Sequence, residues 1–250
     1  MSPENVRPAD LGWEGLIDKF SPFLNEIKKR VRFFVLLFLV FSVLGFVYYE
    51  QIINFSLTIF RLEGVNIAFT SPFQFINLAF SSALAVGLIA ALPVALYQVF
   101  SFLKPALKKK EFRLIMTLMP LAVFLFAVGF FYGVAVMKYV IGLFYEKAQE
   151  LEIGNLLDVS ALLSQIIVTS SLLGAAFEFP IVITALMSLK IVAYRSIASQ
   201  RTMVYFFCLL FASLLPPTDL LSLALLTVPL ILLFESTLLI NRIVLKTPVS

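Results

Sequence analysis

A chain of 250 residues with 61% hydrophobic and only 14% charged side chains is too oily for a water-soluble domain, where about half and about a quarter are usual. It reads as a single all-α polytopic membrane domain over 1–250. Its one cysteine, Cys208, excludes an intrachain disulfide, and the absence of histidine excludes HExxH zinc proteases and Ser-His-Asp hydrolases, so neither cofactor nor metal is expected.

Residues 1–21 are mixed in character and predict a cytoplasmic N-terminal segment. Within it Leu11, Trp13, Leu16, Ile17 and Phe20 are spaced for a short amphipathic helix, with Trp13 as an interfacial anchor. No positive segment precedes an apolar core, so a secretory signal is not expected there. Ser21-Pro22 has the chemistry of a helix start. The helix it opens carries Glu26, Lys28, Lys29, Arg30 and Arg32 into a first span at 33–49.

A connection over 50–72 contains enough apolar residues to predict a surface-lying or partly packed segment. A second span follows at 73–103, with Pro93 implying a bend, and a third at 114–137, with Pro120 inside it. A polar stretch with Glu146, Glu150, Glu152 and Asp158 leads to a fourth span at 162–189. There Phe177-Glu178-Phe179-Pro180 sets a carboxylate near mid-membrane. Pro180 cannot donate to Ala176, so the helix should bend about one turn before the acid. An ionisable group at that depth is expensive and usually faces a polar cavity or a partner. A fifth run at 202–215 has only 14 residues. At 1.5 Å each it reaches about 21 Å, short of the roughly 30 Å apolar core. The turn Pro216-Pro217-Thr218-Asp219 then leads into a sixth span at 220–240.

Lysine and arginine alternate in density between connections. Sixteen of the 19 fall in the N-terminal segment, the second and fourth connections and the tail; only Arg61, Lys138 and Lys147 fall on the other side. By the positive-inside rule there are six spans and both termini are cytoplasmic. The net charge of +4 is therefore mostly a topology signal, with some attraction to anionic lipid, and no nucleic-acid motif accompanies it.

Among the acids, Glu26 precedes Arg30 by four residues, the favourable order for a helical ion pair, and Glu111 opens the third helix, where the dipole favours negative charge. Together they could present two carboxylates at one cytoplasmic face, suited to adjacent guanidinium groups. Glu178 is either bonded across helices or set in a polar cavity. Glu235 lies close enough to Arg242 for local pairing, and Asp219 sits in a turn where aspartate is commonplace.

From about Phe23 to Glu235 the chain resembles the TatC family, the multi-span receptor subunit of the twin-arginine protein translocase. The most specific segment is Leu92-Pro93-Val94-Ala95-Leu96-Tyr97-Gln98-Val99-Phe100-Ser101-Phe102-Leu103-Lys104-Pro105-Ala106-Leu107, followed by Glu111. Phe177-Glu178-Phe179-Pro180, Pro216-Pro217-Thr218-Asp219 with Pro229 and Phe234-Glu235, and Thr70-Ser71-Pro72-Phe73 follow the family's pattern in order.

The resemblance implies a cupped bundle of six helices, the fifth and sixth short, that is not an enzyme. It also implies a receptor in the inner cell membrane for twin-arginine signal peptides, exporting folded proteins on the proton-motive force. By position, Glu26 and Glu111 would receive the arginines, with Lys28 and Phe102 in the same site, and Glu178 would be the acid of the concave face. Single-span TatA or TatB partners would meet the fifth-span region, with Pro216, Asp219 and Glu235 on the partner-contact or outer-hairpin side, and several copies would assemble.

The chain departs from the family's His-Leu-x-Glu-Leu-Arg at Phe23-Leu24-Asn25-Glu26-Ile27-Lys28, has Phe112 where an arginine is usual, and has Leu223 in place of a glutamine. The alternatives from other classes are a small-solute or proton-coupled transporter using Glu178 and, more remotely, an intramembrane aspartyl protease, which needs two facing aspartates within spans.

Overall fold

The computed structural model describes residues 13–60, 67–68, 73–103, 109–151, 157–217 and 219–244. Nine helices account for nearly all of them: α1 (Trp13–Val47), α2 (Tyr49–Phe60), α3 (Gln74–Leu103), α4 (Lys109–Glu150), α5 (Val159–Ala176), α6 (Phe179–Ser188), α7 (Tyr194–Ser199), α8 (Arg201–Leu214) and α9 (Leu220–Val244). Two-residue strands, β1 (Ile67–Ala68) and β2 (Leu157–Asp158), pair in parallel, Ile67 with Leu157 and Ala68 with Asp158. Five helical stretches are long and apolar enough to cross a membrane (25–47, 74–98, 116–150, 160–188 and 220–243), and α8 is a shorter apolar helix.

Neighbouring helices pack closely where small residues let their backbones approach. At Gly45 of α1, a side-chain carbon would lie 2.8 Å from the Ser82 carbonyl oxygen of α3. At Gly133 of α4, it would lie 2.7 Å from the Ser170 α-carbon of α5. Without a hydrophobic drive between helices in lipid, such close backbone approach supplies the packing. Large apolar side chains accordingly face outward along α1, among them Phe33, Leu36, Leu39 and Val43. The buried core has two main centres. One gathers Val136, Leu173, Phe177, Leu215 and Leu226 where α4, α5 and α9 meet the end of α8. The other joins Ile53 of α2 to Leu78, Met137 and Leu163.

Several boundaries differ from the sequence expectation. The helix predicted to start at Ser21-Pro22 begins by Trp13 and runs through Pro22 without a break. Proline removes one backbone bond, a loss that water can make good outside the bilayer. The 50–72 connection contains a true helix, α2, packed on α3. The third-span helix continues through the polar stretch to Glu150, making 42 residues, about 63 Å. Its extension carries an i, i+3 pair, Lys147 Nζ to Glu150 Oε2 at 2.6 Å. Shortness is confined to the fifth span: α8 has 14 residues but α9 has 25, about 37 Å, enough to cross. Pro93, Pro120 and Pro229 lie inside unbroken helices, whereas the fourth span is interrupted, α5 ending at Ala176 and α6 beginning at Phe179.

Candidate functional site

Two concave regions carry the acids singled out above. The first is at the end of the bundle where α1 enters and α9 leaves. There α1 and α3 border an open cleft of about 520 Å³, lined by Glu26, Lys29 and Arg30 on one side and Val94, Tyr97 and Gln98 on the other. Their antiparallel crossing brings the start of α1 to the end of α3. Arg30 fixes that junction: Nη2 and Nε donate to Glu26 Oε1 at 2.6 and 3.2 Å, and Nη1 donates to the Gln98 carbonyl at 2.8 Å. The first contact is the i, i+4 pair the sequence predicts. The second, across 68 residues, goes to a backbone carbonyl that any residue type would supply, and was not legible. The Gln98 amide nitrogen is buried and, among the described residues, receives no acceptor. Lys28 is exposed on the same turn of α1 as Glu26. Glu111 and Phe102 belong by backbone to the first turn of α4 and the last turn of α3; their side chains lie outside the described residues, as do Lys104 to Lys108 and Thr70 to Pro72.

The second region surrounds Glu178. The helix breaks at Phe177–Glu178 itself rather than one turn earlier. Phe177 N–H still reaches the Leu173 carbonyl at 3.0 Å, Glu178 N–H turns to Ala175 at 3.1 Å, and α6 restarts with Pro180 in its first turn, where a missing N–H costs nothing. Glu178 thus sits at the break, 3% exposed, and neither carboxylate oxygen has a hydrogen-bond partner among the described residues. It borders a cavity of about 590 Å³ between α3, α5–α6 and α8, walled by Leu92, Leu96, Phe179, Val182, Phe207 and Phe211. Apart from Glu178 and the Cys208 thiol the lining is carbon, so the acid faces an apolar hollow and not a polar one.

The α8–α9 hairpin is secured at both ends. At its turn, the cis Pro216-Pro217 peptide lies over α5, and the Pro216 carbonyl accepts from Thr169 Oγ1 at 2.6 Å. Asp219 caps α9, taking the Ser222 N–H at 2.8 Å and its hydroxyl at 2.5 Å. Burial by itself would raise this carboxyl, but the Ser222 donors outweigh it and hold Asp219 below the usual aspartate range. At the opposite end, Glu235 Oε1 accepts from Tyr205 at 2.5 Å and lies 3.4 Å from Arg201 Nε. Local pairing of Glu235 with Arg242 is therefore not observed: the acid bonds across the hairpin to α8. Nor is Glu235 at the turn with Pro216 and Asp219, since 16 residues of α9 separate it from Asp219, about 24 Å.

Among the described residues no group of three or more acidic or cysteine side chains could hold a metal, and no two aspartates face one another inside the bundle.

Over residues 22–229 the chain matches the family model described as TatC, Sec-independent protein translocase protein (TatC). It is 28% identical over 226 residues to the Sec-independent protein translocase protein TatCy of Bacillus subtilis (strain 168), covering 88% of this chain and 87% of that one. It is 32% identical over 152 residues to TatC of Escherichia coli (strain K12), 60% of this chain and 58% of the other. The fold is similar to the crystal structure of the twin arginine translocase receptor TatC in DDM, with a TM-score of 0.76 and 24% identity over 87% of this chain and 98% of that one.

Proposed function

This chain belongs to the TatC family of Sec-independent protein translocase proteins, a membrane component of the translocase and not an enzyme, and on that premise we propose that it is the receptor for twin-arginine signal peptides. Six crossings with both termini in the cytoplasm are supported by the skew of 16 of 19 basic residues. The end of the bundle bearing the Glu26 cleft is then cytoplasmic. The single observation that carries the proposal is Glu26, 47% exposed at the rim of an open cleft and already engaged by a guanidinium. A carboxylate so placed can receive an arginine from outside. We assign Glu111, on the first turn of α4, as the second acid for an adjacent arginine, and Lys28 and Phe102 to the same site.

The export role follows in the same frame: a folded protein is drawn across the membrane by the assembled complex on the proton-motive force. Single-span TatA or TatB partners pack on α8, which rests chiefly on α9 and leaves Met203, Phe206, Leu209 and Leu210 exposed. The apolar hollow at Glu178 opens beside that face. It offers a hydrated solute no partner but the acid, which speaks against the transporter alternative. Several copies assemble around the partners.

Photo-crosslinking of a twin-arginine signal peptide to the protein in membranes tests the site. Crosslinking should be lost in the Glu26→Ala, Glu111→Ala double variant. Undiminished crosslinking in that variant would overturn the proposal.

A further inference from the structure

At rest Glu26 already holds an arginine, and it belongs to the chain itself. Arg30 lays two donors on Glu26 Oε1 and a third on the Gln98 carbonyl of α3. Both donors to the acid converge on one oxygen; among the described residues nothing donates to Glu26 Oε2. This is the contact that a docking arginine would make.

We propose that Arg30 is an internal stand-in, occupying Glu26 until a signal-peptide arginine takes its place, and so lowering the affinity of the resting site. The inference rests on Glu26 being a receiver of peptide arginines. Exchanging one guanidinium for another leaves the number of charge-assisted bonds at Glu26 unchanged, so a lone arginine gains little by displacing Arg30. A peptide that brings a second arginine adds a further contact elsewhere in the site, and that contact makes the displacement favourable. Lysine lacks the planar fork and displaces Arg30 poorly. Through Nη1 and the Gln98 carbonyl, Arg30 keeps its hold on α3 while its other edge swings away, so the α1–α3 junction survives the exchange. The stand-in thus imposes the same displacement cost on every peptide that engages Glu26.

The test is the affinity of a labelled twin-arginine signal peptide, and of its twin-lysine counterpart, for the full-length protein in lipid nanodiscs, read by fluorescence anisotropy. Arg30→Gln should bind the twin-arginine peptide roughly two- to fivefold tighter, the range expected for releasing an exposed ion pair. A twin-lysine peptide that engages the same acid should tighten by a similar factor, leaving the preference between the two nearly unchanged. In a Glu26→Gln background the same change should have no effect, which a purely structural role for Arg30 would not produce. Arg30→Lys, which keeps the charge and apolar stem, should fall between the two and carries the test should Arg30→Gln fold poorly. Unchanged or weaker binding in either variant, with dependence on Glu26 intact, overturns the stand-in alone. Binding indifferent to Glu26→Gln from the outset overturns the receptor site as well.

Discussion

Tyr205 of α8 donates its hydroxyl to Glu235 of α9 at 2.5 Å, and Arg201, one turn earlier on α8, reaches the same oxygen at 3.4 Å. Because α8 packs mainly on α9, these contacts and the Thr169–Pro216 bond at the opposite end hold the hairpin in place. Tyr205→Phe should therefore loosen α8 from α9. Hydrogen–deuterium exchange should rise over 201–208 and little elsewhere; a uniform rise, or none, would mean that the bond does not secure α8.

Glu178 gives a prediction with two opposite signs. A buried carboxyl without a partner destabilises the fold, so Glu178→Leu should raise the thermal unfolding midpoint in detergent, a gain of about 1–3 kcal/mol. If Glu178 has the role in transport proposed for buried intramembrane acids, export should fall at the same time. A lowered midpoint would reveal an unrecognised partner, and unimpaired export would remove Glu178 from the mechanism.

Gly133 and Gly142 lie on the same helix and separate packing from helix propensity. An added methyl at Gly133 meets the Ser170 backbone, so Gly133→Ala should cost about 1–3 kcal/mol by forcing α4 and α5 apart. Nothing lies within 4 Å of the same position at Gly142, where alanine should be neutral or stabilise by about 0.5–1 kcal/mol. Equal effects at the two sites would contradict the close α4–α5 contact.

The cap on α9 makes stability depend on pH. The folded Asp219 carboxyl lies below its unfolded value, so its contribution is fully present above the ordinary aspartate pKa of about 4 and is lost as pH falls through the lowered folded value. Asp219→Ala should cost about 1 kcal/mol at neutral pH. Asp219→Asn, which still caps but does not titrate, should lose less and show no such dependence. Melting the three proteins between pH 7 and pH 3 checks this: the advantage of the parent over Asp219→Ala should narrow towards the acid end.

Hydropathy and proline placement made much of the bundle legible. The apolar runs locate the membrane-crossing helices because lipid permits little else, and Pro180 foretold the break in the fourth span. What escaped was set by contacts distant in sequence. Glu235 has Arg242 seven residues away on the same face of α9, but about 10 Å further along the axis, while the hairpin brings Arg201 and Tyr205 across from 30 or more residues back. The extension of α4 to Glu150 was masked because polar side chains end a hydropathy run without ending a helix. The apolar character of the hollow at Glu178 could not be read locally, since its walls come from α3, α6 and α8. Glu26 with Arg30 was readable from spacing alone; the Gln98 carbonyl that completes the junction was not.

One wall of the cup, α8, spans about 21 Å where the surrounding hydrocarbon measures about 30 Å. The lipid beside it must pucker, at fractions of a kcal/mol for each ångström of misfit. That tension resides in the bilayer and not in any bond of the protein. A longer single helix lying along α8 would let the bilayer relax there, so the misfit lowers the cost of covering this flank even before the first side chains touch.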